Sequence, residues 1–581
     1  MKKIVFFVIM SAVILFTGCD LERLPYSGYT EETIKRDPEG AFDMLLTGIY
    51  GQMKDWGNQF HRVGEYSGDN ITIRGTSTDN FFDFISFSHR ANNGRLNTCW
   101  TNSYRVISQS SDVIKIFATP PSTEVAHQIG EAYYMRGMAY FYLALTYGRP
   151  YYQSPETNLG VPIINGRPED ILADNIVLPD RATVKETYAQ VIRDLRRAES
   201  LMTLPKANRY ATKEAAQALL SRVYLYMSGT YENPNLVYAD SAIYYANQVI
   251  QSGRFELLSR NDFMRYNRTV PESNKETIFA IKRVAAEFPS NSNYNSYIGG
   301  MYAALGGAGY GEMYASAKYL DRLRLSGNGN ADNDARSSFI VPQYQLNAAG
   351  EKQPAFRFVR DTYSESGVQT AYDYEQFPVE RKTDGSYVAI APSGEFPLTP
   401  VDAVNNRYSI DYRPANAPAV VTYEGDLDYL MVLNRTLLMF YIYKCSLQEP
   451  SVTHLHSPTI SRVGELYLNL AEAYAKKGDY ANALINLNII RNRAVVGGGY
   501  PDGYLTATNA VEVIDNERAL ELAYEAHRSF DVFRIGRPLV RRYPIPVPIM
   551  DDISPMDNRV VKQIPQDVVN AYFGTITPNP L

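Results

Sequence analysis

Along most of this chain apolar side chains return every three or four positions, the period of a helix that presents one face to a core. The first such stretch begins near Pro38 and carries Ala41, Phe42, Met44, Leu45, Ile49 and Tyr50. Between 64 and 95 the period breaks into Gly, Asn, Ser and Thr around Phe81, Phe82 and Phe84, the pattern of loops over a folded body. Trp100, Tyr104, Ile107, Val113 and Phe117 resume a helix that Pro120-Pro121 closes. Over 129–147 apolar residues fall almost all round, so this helix is expected to be buried, and Gly148-Arg149-Pro150 stops it. Further helices are expected over 184–201, 211–227 and 238–250. From 287 to 314 glycines are interleaved with tyrosines. From 326 to 458 the chain reads as irregular, with short strand-like runs at 420–423 and 437–443. Helical spacing returns at Ser461.

Residues 462–494 carry the most regular pattern. Leu466, Leu470, Ala473 and Tyr474 make one stripe, and Gly478 ends that helix by permitting a left-handed turn. Asp479 is placed to cap the next helix, whose stripe is Tyr480, Ala483, Leu484 and Leu487. Small Ala471 and Ala483 suit a close antiparallel crossing. The unit resembles a tetratricopeptide repeat, although Leu487 and Ile490 depart from its usual aromatic and Ala. The pairs 129–147/184–201 and 211–227/238–250 look like two more such units with enlarged loops. The expected fold is mainly α: a superhelical scaffold of paired helices with large irregular loops and a few short strands.

The amino terminus adds an address. Met1-Lys2-Lys3 precedes an apolar run over 4–16, and Thr17-Gly18 leads to Cys19. This is the layout of a signal peptide over 1–18, with the run too short to span a bilayer. A cysteine at the cut offers a thiol for lipid, so Cys19 is the expected lipidation site. The mature chain would carry a net charge of −8, since Lys2 and Lys3 leave with the signal. An acidic balance speaks against nucleic acid as a partner. Besides Cys19 only Cys99 and Cys445 occur, so a disulfide framework is excluded, and whether these two pair stays open.

Several motifs together give the chain a family likeness. They are Glu472-Ala473 within the repeat, the run 488–494 (NIIRNRA), Glu517-Arg518-Ala519-Leu520-Glu521-Leu522, and Glu525-Ala526-His527-Arg528. Asp531-Val532-Phe533-Arg534 and Tyr543-Pro544-Ile545-Pro546 follow, with Arg136-Gly137 through Pro150 and 216–226 in the amino half. On these the chain resembles the SusD/RagB family of outer-membrane lipoproteins over essentially its whole mature length. Near the end only Gln563-Ile564-Pro565 resembles the family's closing segment. The resemblance implies an amino-terminal helical region over 19–260 and a carboxy-terminal region over 261–581. It also implies a SusC-like TonB-dependent transporter as partner, a lipid-anchored place on the outer membrane facing outward, and capture of oligosaccharide without a cofactor. Oligopeptide capture, as in the RagB branch, is the alternative; a surface glycosidase is a distant one.

Candidate chemistry is sparse. Glu517, Glu521 and Glu525 would share a helix face beside Arg518 and Arg528, which suits ion pairing better than the opposed carboxyls of a glycosidase. No catalytic residue is expected. Asn328, Asn330, Asp332 and Asp334 alternate like a calcium loop, but Asn333 and Phe339 stand where its Gly and Glu belong. His454 and His456 lack further ligands at zinc spacing, so no metal is expected. Sugar binding asks for aromatic faces beside amides, carboxylates and guanidiniums. Two segments offer that mixture: Asp69, Asn70, Arg74 and Trp100, and the Gly-rich stretch with Tyr294, Tyr297, Tyr302 and Tyr310. These eight are the expected ligand contacts.

Overall fold

Polar caps start the long helices where the periodicity places them. In the computed structural model, which describes residues 31–73, 81–88, 90–164, 178–287, 297–434, 437–540 and 552–580, α1 spans Pro38–His61 and opens under the Asp37 carboxylate. Asn93 caps α2 (Gly94–Lys115) and Ser122 caps α3 (Thr123–Tyr147). A full capping box of Thr183 and Glu186 starts α4 (Val184–Leu201). Thr212 and Asn235 cap α5 (Lys213–Met227) and α6 (Leu236–Gln251). Cys19, Arg74, Tyr294 and the 543–546 motif lie outside the described residues.

The expected pairs form. α3 packs on α4, with Arg136 buried and joined to both oxygens of Asp194 at 2.9 and 2.7 Å. α5 packs on α6, where the Ser221 hydroxyl donates to the Ala242 carbonyl. Past the short α7 (Ala317–Ser326), the third pair is α8 (Val463–Lys476) and α9 (Tyr480–Ala494). Gly478 has φ +74°, and its N–H and that of Asp479 close on the carbonyls of Ala475 and Tyr474, a Schellman end. Asp479 caps α9 through the Asn482 N–H at 3.1 Å. Ala471 and Ala483 are fully buried in the cluster between the two helices. α6 packs on α8, so the stack continues although a long insertion separates them in sequence. α10 (Ala510–Glu521) and the short α11 (Arg528–Arg534) complete the helical body. One hydrophobic core runs from Ile34 to Ile576, so the two halves of the chain share it.

Residues 354–429 depart from the irregular structure expected of them. They form seven antiparallel strands: β1 (Pro354–Tyr363), β2 (Gln369–Arg381), β3 (Tyr387–Ala391), β4 (Gly394–Pro397), β5 (Thr399–Asp402), β6 (Arg407–Tyr412) and β7 (Val421–Tyr429). Their order is β4-β3-β2-β1-β7-β6-β5. The two outermost strands are joined through Leu398 alone, so the sheet must curl until its edges meet. The contacts agree: Phe396 meets Tyr412, and Tyr387 meets Tyr408. The result is a small, strongly curled barrel-like sheet. Phe356, Phe358, Phe377, Ile410 and Tyr423 fill its interior. Gly425 is required there, because a Cβ at that position would lie 2.3 Å from the Arg357 carbonyl.

Candidate functional site

Of the six expected ligand residues that are described, four turn inward. Asp69 is buried, and its carboxylate is shared by Arg322 and Lys318 at 2.8 Å and Arg528 at 2.7 Å. Burial opposes this charge, yet the three cations outweigh it and hold the carboxyl well below its ordinary range. Asn70 is fully buried, with its amide donating to Glu65 and to the Ala519 carbonyl. Trp100 packs in the core against Tyr104 and Tyr147. Tyr302 is fully buried, its hydroxyl 2.7 Å from His61 Nε2. Asp69, Asn70 and Tyr302 join the two halves of the molecule, and their polar atoms face protein rather than solvent. Tyr297 is half-buried under the Arg283 guanidinium, and among the described candidates only Tyr310 stands clearly exposed.

The two expected segments do meet. Ile71–Ile73 pairs with Met313–Ala315, so the chain leaves Ile73 beside the glycine-rich stretch.

The stripe of carboxylates is likewise internal. α10 ends at Glu521, and Glu525 arrives through a turn in which Tyr524 and Ala526 take positive φ. Glu517 pairs with Arg336 at 2.6 Å, Glu521 with Arg462 at 2.6 Å and with Arg493, and Glu525 with Lys444 at 2.6 Å and Arg462 at 2.8 Å. Burial pushes Glu525 up, but Arg462 and Lys444 prevail and bring it down to about 2. A carboxyl held ionised in this way cannot serve as the general acid of a glycosidase. Asp334 of the calcium-like stretch is buried against Arg336 at 2.6 Å, and Asn330 caps the Asp332 N–H. His454 Nε2 donates to the Ala303 carbonyl. Cys99 and Cys445 are both free and buried.

A sizeable cleft lies in the stretch expected to be irregular chain. A cleft of about 370 Å³ separates the outer face of β1 and β7 from α7 and the turn that follows it. Its size falls in the range of about 300–1,000 Å³ usual for small-ligand sites, which favour domain interfaces. Strand register builds its floor. Asp426 lies opposite Arg407 on one neighbouring strand and Arg357 on the other, so three charges form a row across the sheet. Arg407 Nη1 donates to Asp426 at 2.9 Å, and Arg357 Nη2 donates to Asp428 at 3.1 Å. The Tyr344 hydroxyl also donates to Asp428, at 3.0 Å. Burial first and Asp428 second raise that phenol above its ordinary value, so it stays a donor. Tyr344, Tyr374 and Phe440 supply an aromatic wall, with the Arg357 guanidinium 5.2 Å from the Phe440 ring. Buried Arg357 Nη1 and Arg407 Nε have no hydrogen-bond partner among the described residues. One local signal existed, the period-two carboxylates Glu424, Asp426 and Asp428; their arginine partners come from other strands.

Comparison with known proteins gives two family matches. A SusD-like family described as starch-binding associating with outer membrane matches residues 21–225, and the SusD family matches 397–573. A SusD-like protein of Bacteroides ovatus is 25% identical over 291 residues, 48% of this chain and 49% of its own. The chain thus aligns with about half the length of that curated relative. Among solved structures, a SusD superfamily protein from Bacteroides thetaiotaomicron covers 94% of this chain and 100% of its own, with TM-score 0.67 and 21% identity. A protein solved with a xylogluco-oligosaccharide covers 93% of this chain and 99% of its own, with TM-score 0.60 and 17% identity.

Proposed function

The chain belongs to the SusD/RagB family, and from that premise we propose that it is a non-catalytic, cell-surface lipoprotein that captures oligosaccharide for a SusC-like TonB-dependent transporter. Lipid on Cys19 would anchor it to the outer membrane. The helix stack would face the transporter and the opposite loops the nutrient. The observation that carries the reading is the pair of family matches, one at each end of the chain, on a fold shared over nearly all of its length. The relative solved with a xylogluco-oligosaccharide supports glycan over peptide as the cargo. The absence of catalysis is supported by Glu517, Glu521 and Glu525, whose charges are spent on neighbouring cations.

Isothermal calorimetry of the purified mature protein against plant, host and microbial oligosaccharides tests the cargo. Binding without hydrolysis is expected. Failure on every glycan, with binding of an oligopeptide pool, would move the chain to the RagB-like alternative. Labelled palmitate should be incorporated in wild type and absent in Cys19→Ala.

A further inference from the structure

Resting on the glycan reading, we propose that the cleft between the barrel and α7 is where the sugar chain is held, and that it selects uncharged glycans over those bearing uronate or sulfate. Neither family match includes residues 354–396, which supply the β1 side of the floor.

A sugar ring offers two surfaces, hydroxyls at its rim and C–H groups on its face. Each rim hydroxyl can accept one hydrogen bond and donate another. A guanidinium held beside a carboxylate meets both needs at once, and the floor repeats that couple on adjoining strands. Arg357 Nη1 and Arg407 Nε are buried donors without partners among the described residues. Asp428 and Asp426, already fixed by the same two arginines, keep further lone pairs for hydroxyl protons. Strands lie about 4.7–4.9 Å apart, comparable to the width of one pyranose ring, so neighbouring couples can address neighbouring hydroxyls.

The aromatic wall addresses the other surface. Tyr344 is held in one orientation by its bond to Asp428, by the edge of Tyr429 and by the Lys352 ammonium 4.2 Å from its ring. A ring fixed before the ligand arrives loses little freedom on binding. Tyr344 and Tyr374 remain half-buried, so part of each lies open to the cleft.

Charge sets the selectivity. Three guanidiniums line the cleft, and each is already neutralised: Arg324 by Asp321, Arg357 by Asp428, and Arg407 by Asp426. Glu424 and Asp332 line the same space as additional carboxylates. The surplus is negative, and a polyanionic chain entering it would meet repulsion with no unmatched cation among the described lining residues to offset it.

The test uses the full mature protein with neutral xylogluco-, manno- and gluco-oligosaccharides and oligogalacturonates of matched length. Wild type is expected to bind a neutral chain at least about tenfold more tightly than any oligogalacturonate. Tyr344→Ala, and Val359→Trp that fills the cleft floor, should each weaken that binding about tenfold or more. Tyr244→Ala, on the exposed face of α6, should stay within about twofold. Hydrogen exchange on unmutated protein guards against a variant that fails to fold: glycan should slow exchange within 421–429. Binding that survives both cleft variants, absence of protection at 421–429, or preference for oligogalacturonate would overturn the proposal while leaving glycan capture intact. Wild type that binds no glycan would overturn capture and the cleft assignment together.

Discussion

Replacing Glu65 with glutamine removes one buried titration and leaves the rest of the molecule's acid response in place. Glu65 is fully buried in the π-helical turn that follows α1, where it accepts from the Asn70 amide at 3.3 Å and the Ala526 N–H at 3.2 Å. Burial pushes its carboxyl up from 4.5 to about 7 against the pull of these hydrogen bonds. The folded protein therefore keeps this proton to about pH 7, whereas the unfolded chain releases it near pH 4.5. Folding takes up a proton between those values, so the contribution is complete below pH 4.5 and is lost as pH rises through 7. At about 1.4 kcal/mol per pH unit, the loss approaches about 3 kcal/mol. Glutamine has no proton to lose. Any hydrogen bond the amide makes badly adds an offset that does not vary with pH. The depressed carboxyls such as Glu525 are common to both proteins and cancel in the difference. Urea unfolding of wild type and Glu65→Gln at intervals from pH 4 to 8 should show the variant gaining about 3 kcal/mol on wild type across that range. Parallel stability curves would refute the argument by showing that the carboxyl does not titrate as its burial requires.

Glu521→Gln leaves Arg462 and Arg493 without their shared carboxylate in a dry interior, and should cost about 3–5 kcal/mol in denaturant unfolding; a change below 1 kcal/mol would mean the network relaxes freely. Gly425→Ala drives a methyl into the Arg357 carbonyl inside the barrel and should cost about 1–3 kcal/mol, measured the same way. Its expected signature is loss of exchange protection within 354–429, with the helix stack unaffected. Cys99 and Cys445, free and buried with thiols raised by burial, should resist alkylation in native protein and react fully in guanidinium; native labelling at either position would contradict the packing.

The helix pairs were legible because everything that specifies them is local. Asp479, Gly478 and the two stripes of 462–494 lie within one short window, and the structure places cap, turn and crossing where that window puts them. The barrel was not legible in the same way, although Asp384-Gly385 before Tyr387 and the alternation of Phe356 and Phe358 are strand signals. Its strands pair across long separations, and closure through Leu398 is a property of the whole sheet. Asp69 and Asn70 show the converse failure. In a polar, glycine-containing stretch they read as exposed, but Arg322 and Arg528, distant in sequence, turn Asp69 inward. Nor does any local pattern reveal that Arg407, Asp426 and Arg357 stand in one row, since the row exists only in the register of three strands.

Pro354 opens the barrel and Tyr429 ends it, and the two are directly opposite each other on paired strands. The polypeptide thus comes in and goes out through a single doorway. Whatever lies between can be lengthened, trimmed or exchanged without shifting the helices on either side. A lineage could re-tailor what this region holds by swapping the cassette, while the helical scaffold stays as it was.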